Sequence, residues 1–359
     1  MIKIFFPSQF PENCSPSQRF RLEQYQQLLQ EAGIHITQQA FIDRKAYSVI
    51  YKEGHQFAKF MGVLRGFGRR FLSLFSLHQY DLVFIQREAT PIGPPVFEWL
   101  YSKVWRKKIL YDFDDAIWIP ATSRQNKLAH SIKCFWKIKR TIKWSAVAIG
   151  GNDYLCRYAQ QYNSNVVYIP TPVSSEKTAP FIHTPKSAQM TVVWTGSFTT
   201  LVHLRELEPY LLKAYNIQPF ALKVICNAPP ELSFPSVTYV PWSIENEFTE
   251  IASAHIGIMP SEKLVWSEGK CGFKLIQYMS LGIPCIGDHT AANEFILSEG
   301  AGIVINEKKE WVDNLLKLIG DKALRERLSE NGLKRFNALF STEKNATKLI
   351  DVIHQTKNR

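Results

Sequence analysis

The chain has 359 residues, of which 45% are hydrophobic, and its 19 prolines are not gathered in a proline-rich tract. This composition is that of a folded globular protein, and the length accommodates two domains. The formal net charge of +11 predicts an anionic partner, which is nucleic acid, an acidic membrane surface or a phosphorylated substrate. No apolar run approaches the ~20 residues needed to span a bilayer.

The six cysteines are scattered, without a C-x-x-C pair or the spacing of metal ligands. The opening segment MIKIFFPSQF has the pattern of a strand followed by a proline turn, and we do not interpret it as a signal peptide. Together these features predict reduced thiols and a cytoplasmic protein.

Short apolar segments alternate with helical patterns in the first half of the chain. Strands are expected at 2–6, 34–37, 81–86, 109–111, 146–149 and 166–169. This repeated order of strand, helix and strand predicts a parallel sheet with helices on both faces. Ser17 is expected to cap a helix that ends near Ala32. Arg19 and Arg21 lie at its start, where cations oppose the helix dipole, so they are either a surface pair or contacts to an anionic acceptor substrate.

Two segments of the first half combine basic and aromatic residues. They are KEGHQFAKFMGVLRGFGRRFLSLFSLH at 52–78 and IKCFWKIKRTIKW at 132–144. Each is either a helix packed on its own sheet or a face that rests on an anionic bilayer. The presence of two such segments favours the bilayer and predicts a peripheral membrane protein.

A segment rich in Pro, Ser, Thr and Lys, 171–189, is interpreted as a linker between two domains. A second alternation follows it, with strands expected at 191–194, 222–226, 237–240, 256–259, 283–286 and 302–305, and then a helical tail. The chain is therefore expected to contain two similar α/β halves in series.

The second half contains two candidate phosphate sites. Gly196, Ser197 and Thr199 form a small-residue turn between a strand and a helix, which offers backbone N–H groups and hydroxyls. Lys270, Lys274 and Gln277 fall on one stripe of a helix expected from about Cys271 to Leu281. This stripe is either a solvated face or an anion site, and cations at a helix start favour the anion site. Together the two sites predict a bound nucleotide diphosphate.

Three acids follow a strand of the first half, at Asp112, Asp114 and Asp115. Aspartates serve as helix caps and turn residues, but three in four positions beside Trp118 favour a catalytic site at the carboxyl end of the sheet. Asp112 and Asp114 also form a D-x-D pattern, which holds a metal in other transferases. We expect no metal, because the lysines already neutralise a diphosphate and lie in the other half.

Five segments of this chain resemble GT-B glycosyltransferases, specifically a bacterial branch of family 4. They are PSQRFR at 16–21, YDFDDAIW at 111–118, WTGSFTT at 194–200, HIGIMP at 255–260 and GKCGFKLIQYMSLGIPCI at 269–286. In that family, the helix corresponding to the last segment carries two glutamates eight positions apart. Gly269 and Gln277 occupy those positions here, and the PSQRFR loop replaces the usual glycine-rich loop after the first strand.

The resemblance implies two Rossmann-like domains that face a central cleft. The expected bounds are 1–175 for the acceptor domain, with a returning C-terminal helix at 341–359, and 188–340 for the donor domain. It also implies that Gly196 and Ser197 flank the diphosphate, that Gln277 bonds the ribose, that Trp242 lies near the base, and that Glu294 follows a loop facing the donor.

The implied activity is transfer of a sugar from a nucleotide diphosphate sugar to a glycan, lipid-linked or other acceptor, with retention and without metal or cofactor. An alternative within the fold is a nucleotide-sugar 2-epimerase. An alternative of another class is a basic nucleic-acid-binding protein. The positive charge does not gather on one motif and no recognition module occurs, so we do not expect a nucleic-acid partner.

Overall fold

The computed structural model describes residues 1–50, 52–120, 132–262 and 264–359. They form two compact units, Met1–Thr171 with Asn345–Arg359, and Pro172–Lys344. Each unit is built on a sheet of six parallel strands. All the strands expected from the sequence are present, and the α/β architecture with two Rossmann-like units is confirmed.

The sheet of the first unit has the order β2-β1-β3-β4-β5-β6. Its strands are β1 Ile2–Phe6, β2 Ile34–Gln38, β3 Leu82–Gln86, β4 Lys108–Phe113, β5 Val147–Gly150 and β6 Val166–Tyr168. The helices described along this stretch are α1 Pro16–Arg21, α2 Gln26–Glu31, α3 Arg44–Ile50, α4 Gln56–Ser76, α5 Val96–Trp99, α6 Lys137–Trp144 and α7 Asp153–Gln160. β3 is buried along its whole length because helices cover both faces of the sheet.

The helix expected from Ser17 to about Ala32 is interrupted. α1 and α2 are joined by a 3-10 turn at Glu23–Tyr25. Ser17 was expected to cap this helix, but Ser15 precedes α1 and Ser17 lies within it. The Ser17 hydroxyl instead donates a hydrogen bond to Asp114, with 2.5 Å between Oγ and Oδ2.

The sheet of the second unit has the order β12-β11-β10-β7-β8-β9. Its strands are β7 Thr191–Gly196, β8 Ala221–Cys226, β9 Val237–Pro241, β10 Ile256–Met259, β11 Cys285–Asp288 and β12 Ile303–Ile305. Its helices are α8 Ser175–Thr178, α9 Leu201–Ile217, α10 Glu247–Ala252, α11 Phe273–Ser280, α12 Ala291–Leu297, α13 Glu310–Gly320 and α14 Lys322–Arg335.

The segment interpreted as a linker, 171–189, is structured in its first part. Val173 is fully buried in the apolar core of the second unit and forms a β-bridge with Ser341. Ser174 caps α8, and the Glu343 carboxylate accepts hydrogen bonds from the hydroxyls of Ser174 and Ser175. Composition suggested a linker, but a buried valine and capping serines fix this segment to the second unit.

The last helix of the chain, α15 Thr342–Asn358, returns to the first unit. Ala346, Leu349 and Ile353 are buried in the same apolar core as Ile4 and Phe84 of that unit's sheet. The expected return of the C-terminal helix is therefore confirmed. Among the described helices, none is long and apolar enough to cross a membrane. The six cysteines all lie within the described ranges, and none of them forms a disulfide bond there.

Candidate active site

The strand order of the second unit creates a switch point beside β7. The chain runs from β7 to β8 and β9 on one side, then crosses to β10, β11 and β12 on the other. In open parallel sheets, ligands bind outside the carboxyl ends of the strands at such a point. β7 ends at Gly196 and β10 ends at Met259, so the segments that follow these residues border the candidate site.

The turn that leaves β7 is formed by the small residues identified in the sequence. A Cβ at Gly196 would lie 2.6 Å from the ring of Trp194 and 2.7 Å from the Thr200 hydroxyl, so a larger residue does not fit. Ser197 and Thr199 are exposed, and their hydroxyl oxygens are 2.8 Å apart. The turn therefore presents two hydroxyls just before the N-terminus of the 17-residue helix α9.

Lys274 extends from α11 to the same strand end. Its ammonium lies 4.6 Å from the ring centroid of Trp194, which is a cation–π contact. Burial, and secondly the charge of Lys270, lower the pKa of Lys274 to about 7. Trp194 is fully buried, and its indole Nε1 has no hydrogen-bond acceptor among the described residues. A half-buried cation and an indole donor without an acceptor thus lie together.

Lys270 lies ahead of the helix on which we expected it. α11 begins at Phe273, two residues later than expected, because Gly272 adopts a positive φ of 60° that ends the preceding turn. The Lys270 ammonium lies 4.5 Å from the ring centroid of Trp266 and 3.4 Å from Nε2 of His203. Lys270 and Lys274 therefore do not share one helix face, but tertiary structure still brings their charges together.

The other predicted donor residues lie on three elements of the same unit. Gln277 is buried on α11. Trp242 follows β9, and its indole Nε1 donates to Glu247 at 3.2 Å. Glu294 is exposed on α12, with a carboxylate oxygen 3.4 Å from Nε2 of His289.

His203 is a residue of this site that the sequence reasoning missed. It lies in the first turn of α9 and is buried, and burial followed by the charge of Lys270 lowers its pKa to about 4. Within the described ranges, His203, Glu206 and Glu262 form one group able to hold a metal ion, with ligand atoms within 4.8 Å of one another. Desolvation and the Glu262 carboxyl raise the pKa of Glu206. The sequence does contain a signal for His203, because it is a histidine among the apolar positions of a helix.

The first unit has its own switch point, between β1 and β3. Arg87 follows the end of β3 with a positive φ of 61° and pairs with Asp114 after β4, with 2.7 Å between Nε and Oδ1. Burial opposes ionisation of Asp114, but the Arg87 guanidinium and the Ser17 hydroxyl lower its pKa below the usual value. Arg87 was not predicted, although a charged residue directly after the mainly apolar strand LVFIQ was the signal.

The other two predicted catalytic acids have different surroundings. Asp112 is fully buried and accepts hydrogen bonds from Nε of Arg21 at 3.0 and 3.2 Å. Arg21 also donates to the Ile169 carbonyl at 2.7 Å, so the buried pair joins α1 to the sheet. Asp115 is half-buried, with a carboxylate oxygen 3.8 Å from a guanidinium nitrogen of Arg87.

Arg21 was expected to contact an acceptor, yet its guanidinium lies inside the unit rather than at the surface. Arg19, its predicted companion, stacks its guanidinium over the ring of Phe20 at 4.3 Å. The geometry therefore favours a structural role for Asp112 and Arg21. The polar cluster that remains at the carboxyl end of this sheet consists of Asp114, Asp115, Ser17 and Arg87.

No protein-family model and no curated protein sequence matches this chain. Solved structures do match it over its full length. A sucrose-phosphate synthase from Thermosynechococcus elongatus aligns with a TM-score of 0.67 at 15% identity, covering 99% of each chain. An α,α-trehalose-phosphate synthase (UDP-forming) from Burkholderia vietnamiensis aligns with a TM-score of 0.66 at 11% identity, covering 100% of this chain and 99% of that one.

Anabaena HepE, solved in complex with UDP-glucose, aligns with a TM-score of 0.67 at 10% identity, covering 99% of this chain and 100% of that one. The chain has the GT-B fold. At 10–15% identity the agreement is one of fold, and it confirms the fold expected from the sequence segments. Within this GT-B chain, the lysines and the Gly196 turn belong to the second unit, and the cluster around Asp114 belongs to the first.

Proposed function

We propose that this GT-B protein is a glycosyltransferase that moves a sugar from a nucleotide diphosphate sugar to a glycan or lipid-linked acceptor. The observation that carries the proposal is Lys274. Its ammonium is half-buried over Trp194, and the described residues give it no carboxylate partner. Keeping such a cation costs stability, and a diphosphate at the strand end beside Gly196 would offset this cost.

The proposed catalysis follows from the charge that develops on the leaving group. When the bond to the anomeric carbon breaks, negative charge accumulates on the departing nucleoside diphosphate. Lys274, Lys270 and the N-terminus of α9 would stabilise this charge, and because they are already in position they need little reorganisation. A bound diphosphate would also raise the pKa of Lys274 from about 7, so the protonated lysine would predominate in the complex.

The remaining donor contacts are proposed from the resemblance to family 4. Gln277 would bond the ribose hydroxyls, Trp242 would lie near the base, and Glu294 would follow the loop that faces the donor sugar. We also propose membership of the bacterial branch of family 4, with retention of anomeric configuration and no metal requirement.

The acceptor hydroxyl is proposed to be oriented by Asp114. Ser17 and Arg87 hold its carboxylate in place, and its lowered pKa keeps it ionised. An ionised carboxylate of low basicity is a good hydrogen-bond acceptor but a weak general base. Its expected contribution is therefore to position the hydroxyl, with Asp115 beside it.

A thermal-shift screen with UDP-, GDP- and ADP-sugars tests the donor assignment. UDP-sugars come first because two of the structurally similar proteins carry UDP in their descriptions. A specific donor should raise the melting temperature, and Lys274→Met should remove that shift. Turnover of the donor without any acceptor would instead identify a 2-epimerase. A salt-sensitive gel shift of random DNA, without any response to nucleotides, would identify a nucleic-acid-binding protein.

A further inference from the structure

In helix α4 the glycines face the protein interior, and most of the large apolar side chains are exposed. The positions facing its own unit are Gly62, Gly66, Arg70, Ser73 and Leu74, all of which are buried. A Cβ at Gly62 would lie 2.6 Å from the Ala46 Cβ, and one at Gly66 would lie 2.7 Å from the Phe41 carbonyl oxygen. The helix therefore packs closely through glycines, and Phe67 is its one phenylalanine that is partly buried, against Phe41.

Arg70 fixes this orientation further. Its guanidinium is fully buried and donates to the Ala89 carbonyl at 2.9 Å and the Gln39 carbonyl at 2.7 Å. Rotating the helix to bury other side chains would break these hydrogen bonds and leave a buried charge unpaired. The outward face is therefore set by the fold and is not the accidental outcome of loose packing.

The outward face of α4 is apolar along its length. It consists of the exposed side chains of Phe57, Phe60, Leu64, Phe71, Leu72 and Phe75. From Phe57 to Phe75 this stripe runs about 27 Å at the helical rise of ~1.5 Å per residue. Phe57 is 78% exposed and Phe75 is 63% exposed. Contiguous apolar patches of this kind mark an interaction surface.

The charged side chains on the helices of this face are predominantly basic. α4 contains no Asp or Glu, and neither does α6. α5 lies against α4 through the stacked rings of Phe67 and Phe97, and its acid, Glu98, is buried. The exposed cations of α6 and of the turn after α5 are Lys103, Lys139, Arg140 and Lys143. Arg65 of α4 is also exposed, but its Nε lies 3.6 Å from the Asp43 carboxylate.

We propose that the outward face of α4 inserts into the interface of a bilayer rich in anionic lipid. Phenylalanine and leucine side chains would enter the acyl boundary, and the neighbouring lysines and arginines would contact the lipid phosphates. This partner fits the charge better than a second copy of the chain does, because docking two such faces would bring like charges together. The proposal is independent of the transfer activity.

The test is co-sedimentation of the full chain with vesicles of phosphatidylcholine alone or of equal phosphatidylcholine and phosphatidylglycerol. Binding should require phosphatidylglycerol and should weaken as salt rises from about 0.05 to about 0.5 M. The triple variant Phe57→Ser, Phe60→Ser and Phe75→Ser should bind at least about tenfold less, because three apolar insertions are lost. These side chains are exposed, so we expect the variant to fold and to keep its thermal shift with a nucleotide sugar.

The matched control is the triple variant Ile217→Ser, Ile244→Ser and Phe295→Ser, which removes exposed apolar residues of the second unit, 68%, 42% and 46% exposed. It should bind vesicles like the wild type. Equal binding by the wild type and the α4 variant would overturn the proposal, as would equal binding to both lipid compositions or no binding at all. Sedimentation velocity showing a dimer that the α4 variant abolishes, without vesicle binding, would assign the face to self-association instead.

Discussion

Replacing Lys274 by methionine removes the ammonium and keeps a side chain that fills similar space over Trp194. A charge-assisted hydrogen bond contributes about 1.5–3 kcal/mol, so the dissociation constant of a nucleoside diphosphate should rise roughly 10- to 150-fold. The wild-type affinity should also depend on pH. With a pKa of about 7 in the free protein, Lys274 loses its proton as pH rises above 7, while the bound diphosphate requires the protonated form. Affinity should then fall by up to about tenfold per pH unit.

The lowered pKa of Lys274 also affects folding stability, which should change with pH in the opposite direction to the affinity. The unfolded chain keeps the usual lysine pKa of 10.5, so between about pH 7 and pH 10.5 the unfolded state binds more protons than the folded state. The stability of the wild type should therefore rise with pH across this window. Below pH 7 Lys274 is protonated in both states, and the whole free-energy cost of burying its charge remains. At pH 7 the cost has an upper bound of about 4 kcal/mol, which solvent reduces for a half-buried group. Lys274→Met should thus melt at a higher temperature than the wild type.

Isothermal titration calorimetry with UDP and GDP at pH 7, 8 and 9 measures the affinities, and buffers of different ionisation enthalpy report proton uptake. Lys274→Arg keeps its charge at every pH, so its affinity should lose the pH dependence. Lys322→Met, at an 80% exposed lysine of the same unit, is the matched control and should bind like the wild type. Unchanged affinity in Lys274→Met would remove this lysine from the site. If the affinity of the wild type does not change between pH 7 and pH 9, the proposed coupling to the proton of Lys274 is refuted.

Three further outcomes are expected. Asp114→Ala should lower the transfer rate by about two orders of magnitude with donor affinity unchanged. Asp114→Asn should recover part of the rate if the carboxylate positions the acceptor by hydrogen bonding. A folded Asp114→Ala variant with the wild-type rate would contradict this role. Asp112→Ala should lower the free energy of urea unfolding by about 3–5 kcal/mol, because the buried Arg21 guanidinium loses its carboxylate counter-ion, while activity per folded molecule persists. Transfer should survive excess EDTA, and loss that manganese restores would instead point to a metal held by the group of His203 or by the aspartates.

The local pattern of the sequence was sufficient for the two α/β units. Short apolar segments at regular intervals predicted the strands, since a strand covered on both faces, such as β3, is buried at every position and mainly apolar. Helix ends were less well determined. Ser17 has the chemistry of a cap, but its hydroxyl is bound to Asp114, a residue distant in sequence. Composition likewise could not show that Val173 is buried.

The sequence identified residue types that suit a phosphate and an acceptor, but their partners depended on the fold. Asp112 and Asp114 are two positions apart, and only the tertiary structure pairs one with Arg21 in the core and the other with Arg87 at the edge. Similarly, a helix pattern placed Lys270 and Lys274 together, whereas Trp194 and His203, on β7 and α9, define their surroundings. These partners could not be predicted from the sequence because periodicity shows only which face of a helix or strand is apolar. Burial, charge neighbours and hence pKa arise between elements distant in sequence.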